Sequence, residues 1–210
     1  MTLRPSKIVG VGRNYAAHAA ELGNDVPKSP LIFLKPPSSI LADGAPILLP
    51  SESTRVEFEG EIGIVIGSRV RNVSEREAAR AVRGVVAFND VTARDIQKAE
   101  GQWTRAKGFD TFAPVGTEQA YVGDWGALSV VTKVNGVERQ RARADTMVFS
   151  IPRLVAFISS VMTLEPGDVV ATGTPSGTAS LAAGDVVEVT VEGSDGRALS
   201  RVGNPVANGE

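Results

Sequence analysis

Short apolar runs alternate along the chain with glycine- and proline-rich breaks, and the breaks set the elements. KIVGVG at 7–12 predicts a strand, and NYAAHAAELGN at 14–24, closed by Gly23 and Asn24, predicts a short helix with a glycine cap. LIFLKPPSSIL is stopped by two prolines and ILL at 47–49 lies between two more, so both predict short strand pieces. Ser74 and Glu77 have the spacing of a capping box and open a helix over SEREAARAV. GVVAF predicts a buried strand that runs straight into NDVTARDIQ, and LSVVTKVNGV predicts a hairpin turning at Asn135–Gly136. Pro152 suits a first helical turn, with Ile151, Leu154, Val155, Ile158, Val161 and Met162 marking the apolar face behind it. DVVATGTPSGT reads as a strand entering a glycine-rich loop, and DVVEVTVEGSDGRALSRV as a hairpin across GSDG. Together these predict one α+β, β-rich domain spanning 1–210, with a few short helices and long loops that suit a functional surface.

One stretch breaks the pattern. In VEFEGEIGIVIG, Glu57, Glu59 and Glu61 alternate with Val56, Phe58 and Gly60, so a strand would carry all three carboxylates on one face. A solvated strand face reads this way. So does the rim of a cation site, because same-face glutamates repel one another. Asp90, at the end of the GVVAF strand, is a candidate third oxygen donor, although Asp90 or Thr92 can equally cap the helix beginning there, with Thr92 and Asp95 as a capping box. Two glutamates and an aspartate make an all-oxygen donor set, which favours Mg²⁺, Mn²⁺ or Ca²⁺ over zinc or copper.

Composition narrows the chemistry. At 210 residues, 42% hydrophobic and 22% charged with a net charge of −2, the chain has the makeup of a folded protein and lacks the basic stripe of a nucleic-acid binder. The absence of cysteine excludes disulfides, thiolate zinc and a cysteine nucleophile. No run approaches the ~20 apolar residues of a membrane span, and the first residues lack a signal peptide's apolar core, so a cytoplasmic location without membrane contact is expected.

His18, the one histidine, has Glu21 three residues on, which in a helix is either a surface pair or a water-activating pair. Lys107, near Trp103, Phe109 and Phe112, either lies over apolar surface, stabilises an oxyanion or gives up its proton more easily than usual. The GTPSG loop at 173–177 is either a plain turn or a source of N–H groups for a carboxylate. Gly10 and Gly12 begin a dinucleotide fingerprint that Tyr15 interrupts, so no nicotinamide site is expected.

The order VGRNYAAHAAELGN, FLKPPSS, FEGEIGIVIG, FNDVTARDIQ, KGFDTFAPVG, TGTPSG resembles the fumarylacetoacetate hydrolase family, from about Lys7 to about Pro205. The resemblance implies the mixed β-sandwich roll of that family's catalytic domain, in a chain that starts directly at the domain. It implies metal ligation by Glu59, Glu61 and Asp90, usually of Mg²⁺ with Mn²⁺ as an alternative, and not by Glu57. It further implies a water-activating pair at His18 and Glu21, an active-site lysine at Lys107, substrate contacts at Gln97 and Thr174, and a homodimer; Lys35 receives no role. The expected substrates are 2-oxo or 2,4-dioxo acids, and the expected reaction is hydrolytic C–C cleavage of an acylpyruvate. Oxaloacetate decarboxylation and isomerisation of 2-hydroxyhepta-2,4-diene-1,7-dioate compete on the same site, and a non-catalytic metal-binding protein is the remaining class.

Overall fold

The computed structural model describes residues 3–21 and 23–209. Met1, Thr2, Leu22 and Glu210 lie outside the described residues, so the span 1–210 and the helix predicted over 14–24 are described without them. The chain runs β1 (Ile8–Gly12), α1 (Ala16–Glu21), β2 (Leu31–Lys35), β3 (Ile40–Leu41), β4 (Ile47–Leu49), β5 (Val56–Glu57), β6 (Gly60–Ile66), α2 (Glu75–Ala81), β7 (Val82–Asn89) and β8 (Thr92–Ala93). It continues through α3 (Arg94–Glu100), α4 (Thr104–Gly108), β9 (Ala113–Pro114), β10 (Gln119–Ala120), β11 (Ser129–Val134), β12 (Val137–Arg143), α5 (Ile151–Val161), β13 (Val169–Ala171), β14 (Val186–Glu192) and β15 (Ala198–Asn208).

A six-stranded sheet in the order β10-β7-β6-β13-β1-β2 faces a five-stranded sheet in the order β12-β11-β14-β15-β4. Both are mixed, since β1 runs parallel to β13 and β4 to β15 while their other pairings are antiparallel. Between them lies the main core, in which Ile62, Ile64, Val85 and Ala87 meet Val130, Val189, Val191 and Val202, and Leu154, Val155 and Ile158 of α5 close one side. The opposite face of the first sheet, with Ile8, Val65, Val86 and Phe88, packs under Ala113 and Val115. Strand β6 is therefore covered on both sides, which is why its sequence is an almost unbroken apolar run. The expected mixed, strand-rich sandwich is the architecture observed.

Local signals hold where the partners are local. Ser74 Oγ accepts from Glu77 N–H at 3.4 Å and Glu77 Oε2 from Ser74 N–H at 2.8 Å, completing the capping box of α2. Asn135 and Gly136 turn the β11–β12 hairpin with φ of 52° and 77°.

Three expectations need correction. Val161 is 53% exposed. Ten residues past Ile151 at about 100° each, it falls about 80° off the buried stripe, at the last helical position. The Thr92–Asp95 capping box does not form, because α3 has Ala93 at its N-cap with no side-chain cap. Thr92 is instead drawn into β8 opposite Glu57, and Asp95 accepts from Ser53 and Thr54. Lastly, VEFEGEIGIVIG is not one strand. β5 pairs with β8 and β6 pairs with β7, so the chain steps between partners at Phe58–Glu59, and the facing chain steps at Asp90–Val91.

The parallel pair β1–β13 is anchored where both strands begin. Asp168, fully buried, accepts from Ser6 N–H (3.0 Å), Ser6 Oγ (2.7 Å) and Lys7 N–H (3.1 Å) on one oxygen. The other oxygen accepts from Lys7 Nζ (2.5 Å) and Glu165 N–H (2.8 Å). Burial pushes the Asp168 carboxyl up, but the Glu165 N–H, Lys7 and Ser6 outweigh it and hold the group below the usual carboxylate range. Asp168→Asn should cost about 2 kcal/mol of stability at neutral pH. A lowered folded pKa contributes stability above the unfolded value of about 3.9, lost as pH falls through the folded value. The wild-type advantage in urea unfolding should therefore shrink below about pH 4. An advantage that did not begin to shrink as the pH fell below about 4 would contradict this account.

Candidate metal centre and cleft

The start of β6 and the end of β7 lie side by side because the strands are antiparallel neighbours, with Gly60 opposite Asn89 and Glu61 opposite Phe88. Glu59 and Asp90 fall at the two adjoining breaks, where Asp90 N–H donates to the Glu59 carbonyl at 2.8 Å. Asn89 fixes the step, its Oδ1 accepting Glu59 N–H at 3.0 Å. From the loop after β13, Gly173 N–H donates to Glu61 Oε2 at 2.8 Å. Gly173 has a φ of 100°, and a Cβ there would come within 2.8 Å of Asn14 Cβ. At Gly60 a Cβ would lie 1.8 Å from Thr132 Oγ1. Two positions without side chains let strand and loop close around the carboxylates.

Glu57, Glu59, Glu61 and Asp90 are at most 5% exposed, so the solvated-face reading of the acidic stretch is excluded. Oxygens of Glu59, Glu61 and Asp90 lie within 4.8 Å of one another. Lys107 Nζ bridges Glu59 Oε2 (2.7 Å) and Asp90 Oδ2 (2.5 Å), and Lys35 Nζ donates to Asp90 Oδ1 (2.6 Å) and the Val91 carbonyl (3.2 Å). Arg94 donates to Glu57 Oε2 (2.8 Å), to Glu59 Oε1 and to Gln97 Oε1 (2.5 Å), while Arg55 Nε takes the other Glu57 oxygen at 2.6 Å. Glu57 thus stands apart from the other two glutamates as the buried counter-ion of Arg94.

These contacts divide the acids. Burial pushes Glu59 up, but Lys107 and Arg94 outweigh it and hold the group well below the usual range. Glu61 has a backbone N–H and, among the described residues, no ammonium or guanidinium in contact, and burial, then Asp90 and Glu59, push it well above. Burial lowers Lys35 despite Asp90, whereas Asp90 and Glu59 outweigh burial at Lys107 and keep it charged. Lys107 therefore does not release its proton easily: its ammonium lies over the Phe33 ring at 4.9 Å, but the company that decides its state is ionic.

The donor set fits a hard divalent cation. It is all oxygen, water-excluded and under-compensated at Glu61, so two positive charges would relieve the repulsion that raises that group. Above the carboxylates opens a cleft of about 700 Å³ whose lining includes His18, Gln97, Lys107 and Thr174.

The remaining predicted residues converge on this cleft. His18 in α1 is 4% exposed, with Nδ1 3.2 Å from Glu21 Oε2, and Gly177 N–H donates to the Glu21 carboxylate at 3.2 Å. The pair is no free surface pair: the loop that reaches Glu61 through Gly173 also holds Glu21 through Gly177. In the neutral ring, a proton on Nδ1 facing this carboxylate leaves Nε2 as acceptor. Gln97 uses its carbonyl on Arg94 and keeps its amide donors. The Thr174 hydroxyl donates to the Gly60 carbonyl (2.9 Å) and accepts from Gln140 Nε2 (2.8 Å), so its proton is already committed.

Three partners escaped the sequence reading, and a fourth, Lys35, was given no role in it. Arg94 stands four positions past Asp90, Lys35 was visible as a lone charge in an apolar run, and Asn14 and Gln140 carried no signal because their partners lie 135 and 34 or more residues away.

A family model described as fumarylacetoacetate (FAA) hydrolase C-terminal matches residues 7–207. The chain belongs to the fumarylacetoacetate hydrolase family. A mitochondrial oxaloacetate tautomerase of Arabidopsis thaliana is 45% identical over 194 residues, covering 90% of this chain and 87% of its own length. A 5-carboxymethyl-2-hydroxymuconate delta-isomerase from Mycobacterium smegmatis superposes with TM-score 0.90 at 44% identity, covering 99% of this chain and 81% of that one. Fumarylpyruvate hydrolase from Pseudomonas aeruginosa, solved with Mn²⁺ and pyruvate, superposes with TM-score 0.89 at 29% identity, covering 100% and 92%. Members of the family are enzymes acting on small oxo acids, and the fold of this chain is theirs.

Glu61→Gln keeps the shape and the Gly173 contact but removes the under-compensated charge. Without divalent cations its Tm should rise by about 2–4 °C, equivalent to about 1 kcal/mol. The stabilisation that Mg²⁺ or Mn²⁺ gives the wild type should largely disappear. Differential scanning calorimetry with and without the ion checks both, and an undiminished cation response would count against this ligand set.

Proposed function

We propose that the chain hydrolyses the C–C bond of a 2,4-dioxo acid of the acylpyruvate type, with Glu59, Glu61 and Asp90 holding Mg²⁺ or Mn²⁺. The supporting observation is the His18–Glu21 pair, whose histidine lines the same cleft as Glu59 and Glu61 of that trio. When bound, the ion supplies Lewis-acid stabilisation of negative charge on the oxygens of a 2-oxo acid.

The chain's own groups supply the rest. His18 Nε2 takes a proton from water, and Glu21 on Nδ1 holds the ring's tautomer and steadies the imidazolium. The hydroxide oxygen adds to C4; the C3–C4 bond then breaks, leaving its electron pair on the pyruvate fragment as the enolate. The imidazolium returns its proton to C3, so water and one dioxo acid give a carboxylic acid and pyruvate. Lys107, kept charged by Asp90 and Glu59, serves electrostatically and not as a base. The free amide donors of Gln97 suit a substrate oxygen. Thr174 contributes through the Gly60–Gln140 network that shapes the floor, its hydroxyl proton being committed.

A second reading, enolisation or decarboxylation of oxaloacetate, is favoured by the 45% identity to an oxaloacetate tautomerase. It needs the same floor but no added water. Purified protein with Mg²⁺ should cleave acetylpyruvate, and His18→Ala should slow that cleavage by about 10²–10⁴-fold. Turnover of oxaloacetate alone, or acetylpyruvate cleavage unaffected by His18→Ala, would remove the hydrolase reading.

A further inference from the structure

Three buried cations meet the acids of the floor, and they are not held alike. Between them they engage every oxygen of Glu59 and Asp90. Arg94 takes Glu59 Oε1 and Lys35 takes Asp90 Oδ1 (2.6 Å), while Lys107 takes the remaining pair, Glu59 Oε2 (2.7 Å) and Asp90 Oδ2 (2.5 Å). Arg94 is tied besides to Glu57 (2.8 Å) and Gln97 (2.5 Å), and Lys35 to the Val91 carbonyl (3.2 Å). The Lys107 ammonium is held by its two carboxylates and by the Phe33 ring, 4.9 Å away. Both Lys107 and Phe33 line the cleft, so this ammonium can leave the acids without entering packed core.

A divalent ion competes for the same pair of oxygens. Mg²⁺ binds its oxygens at about 2.0–2.1 Å and tolerates little distortion. Glu59 Oε1 and Asp90 Oδ1 are committed to cations that are anchored elsewhere as well, which leaves the pair that Lys107 bridges. Sharing that pair would set the ion and the ammonium against the same two atoms. Like charges so close, on a floor from which water is excluded, repel strongly. Lys107 is the one of the three with somewhere to go, and the Phe33 face suits a cation that has left its carboxylates.

Given the ligand set proposed above, we propose that Lys107 is the resident cation of this site. Its ammonium holds Glu59 and Asp90 together until a divalent ion takes their facing oxygens, and then turns out into the cleft along the face of Phe33. Positive charge between the two acids is exchanged and never withdrawn, so neither is left buried and bare. The released ammonium stands in the cleft, where it can meet a substrate oxygen. The ion therefore loads before the oxo acid, and Lys107 takes up its electrostatic role only in the loaded site.

Two measurements read the ion and the lysine without turnover. In titration calorimetry of the full chain, Lys107→Met should bind Mg²⁺ about tenfold more tightly than the wild type, because no ammonium has to be displaced. Lys98→Met removes an exposed charge from the same cleft lining and should change the affinity by less than about twofold. The second measurement uses the wild type alone, so it decides the matter even if Lys107→Met does not fold. Brief reductive methylation with formaldehyde and cyanoborohydride, mapped by mass spectrometry, should modify Lys107 severalfold faster with Mg²⁺ than without. Lys35 should stay protected in both conditions and Lys98 should react in both. If Mg²⁺ binds but Lys107→Met is no tighter, or Lys107 stays equally protected, the resident-cation role is overturned and the ligand set stands. If the wild type takes up no Mg²⁺, the ligand set fails and the role of Lys107 fails with it.

Discussion

The fold is organised around the cost of burying four carboxylates where two strands change partners. Each carboxylate taken out of water costs several kcal/mol unless ion pairs and hydrogen bonds replace its hydration. Lys35, Lys107 and Arg94 meet three of the acids, and all three cations are themselves buried, so none can leave without stranding its partner. Hydrophobic residues of the same volume would pack there at lower cost. An ionic cluster that leaves Glu61 without a cation in contact among the described residues is therefore hard to explain as scaffolding and easy to explain as a receptor for positive charge. The cluster also dictates backbone: Gly60 and Gly173 lack side chains because loop and strand must close on it.

Much of this was legible in the sequence, and the limits are physical. Where a signal depends on neighbours along the chain, as in the Ser74–Glu77 cap or the Asn135–Gly136 turn, it holds. The acidic alternation revealed that Glu59 and Glu61 were unusual but mistook the geometry, because a period-2 argument assumes one continuous strand. The step at Phe58–Glu59 becomes visible only once β5 and β6 are seen to have different partners. The same limit hid the cations. Lys35 reaches Asp90 across 55 residues and Lys107 reaches Glu59 across 48, and no local pattern encodes such pairs. The aromatic neighbours of Lys107 suggested desolvation, which is present; its two carboxylates, which win, were not adjacent in sequence.

Floor and wall of the cleft are built from different materials. The floor sits on strand ends inside two packed sheets and takes its precision from them. The wall comes from the β1–α1 turn, α1 and α3, short segments whose residues can change without disturbing sheet register. In the proposed reaction, enolate chemistry draws on the floor alone, whereas water delivery is assigned to His18 and Glu21 on the wall. Relatives named as a tautomerase, an isomerase and a hydrolase are thus each 29–45% identical to this one chain.

The loop after β13 couples the two. Gly173 and Gly177, four residues apart, donate to Glu61 on the floor and to Glu21 on the wall. Thr172 holds Asn14, and Asn14 holds the turn that carries Arg13 in a left-handed conformation. One short segment thereby fixes the under-compensated carboxylate, orients the carboxylate behind the histidine and braces the strained arginine. Its glycines are needed twice over, for positive φ and for close approach, so the segment has little freedom to drift. A displacement there would move Glu61 on the floor, Glu21 behind His18 and the Asn14 turn together, which makes this loop the physical link between floor and wall.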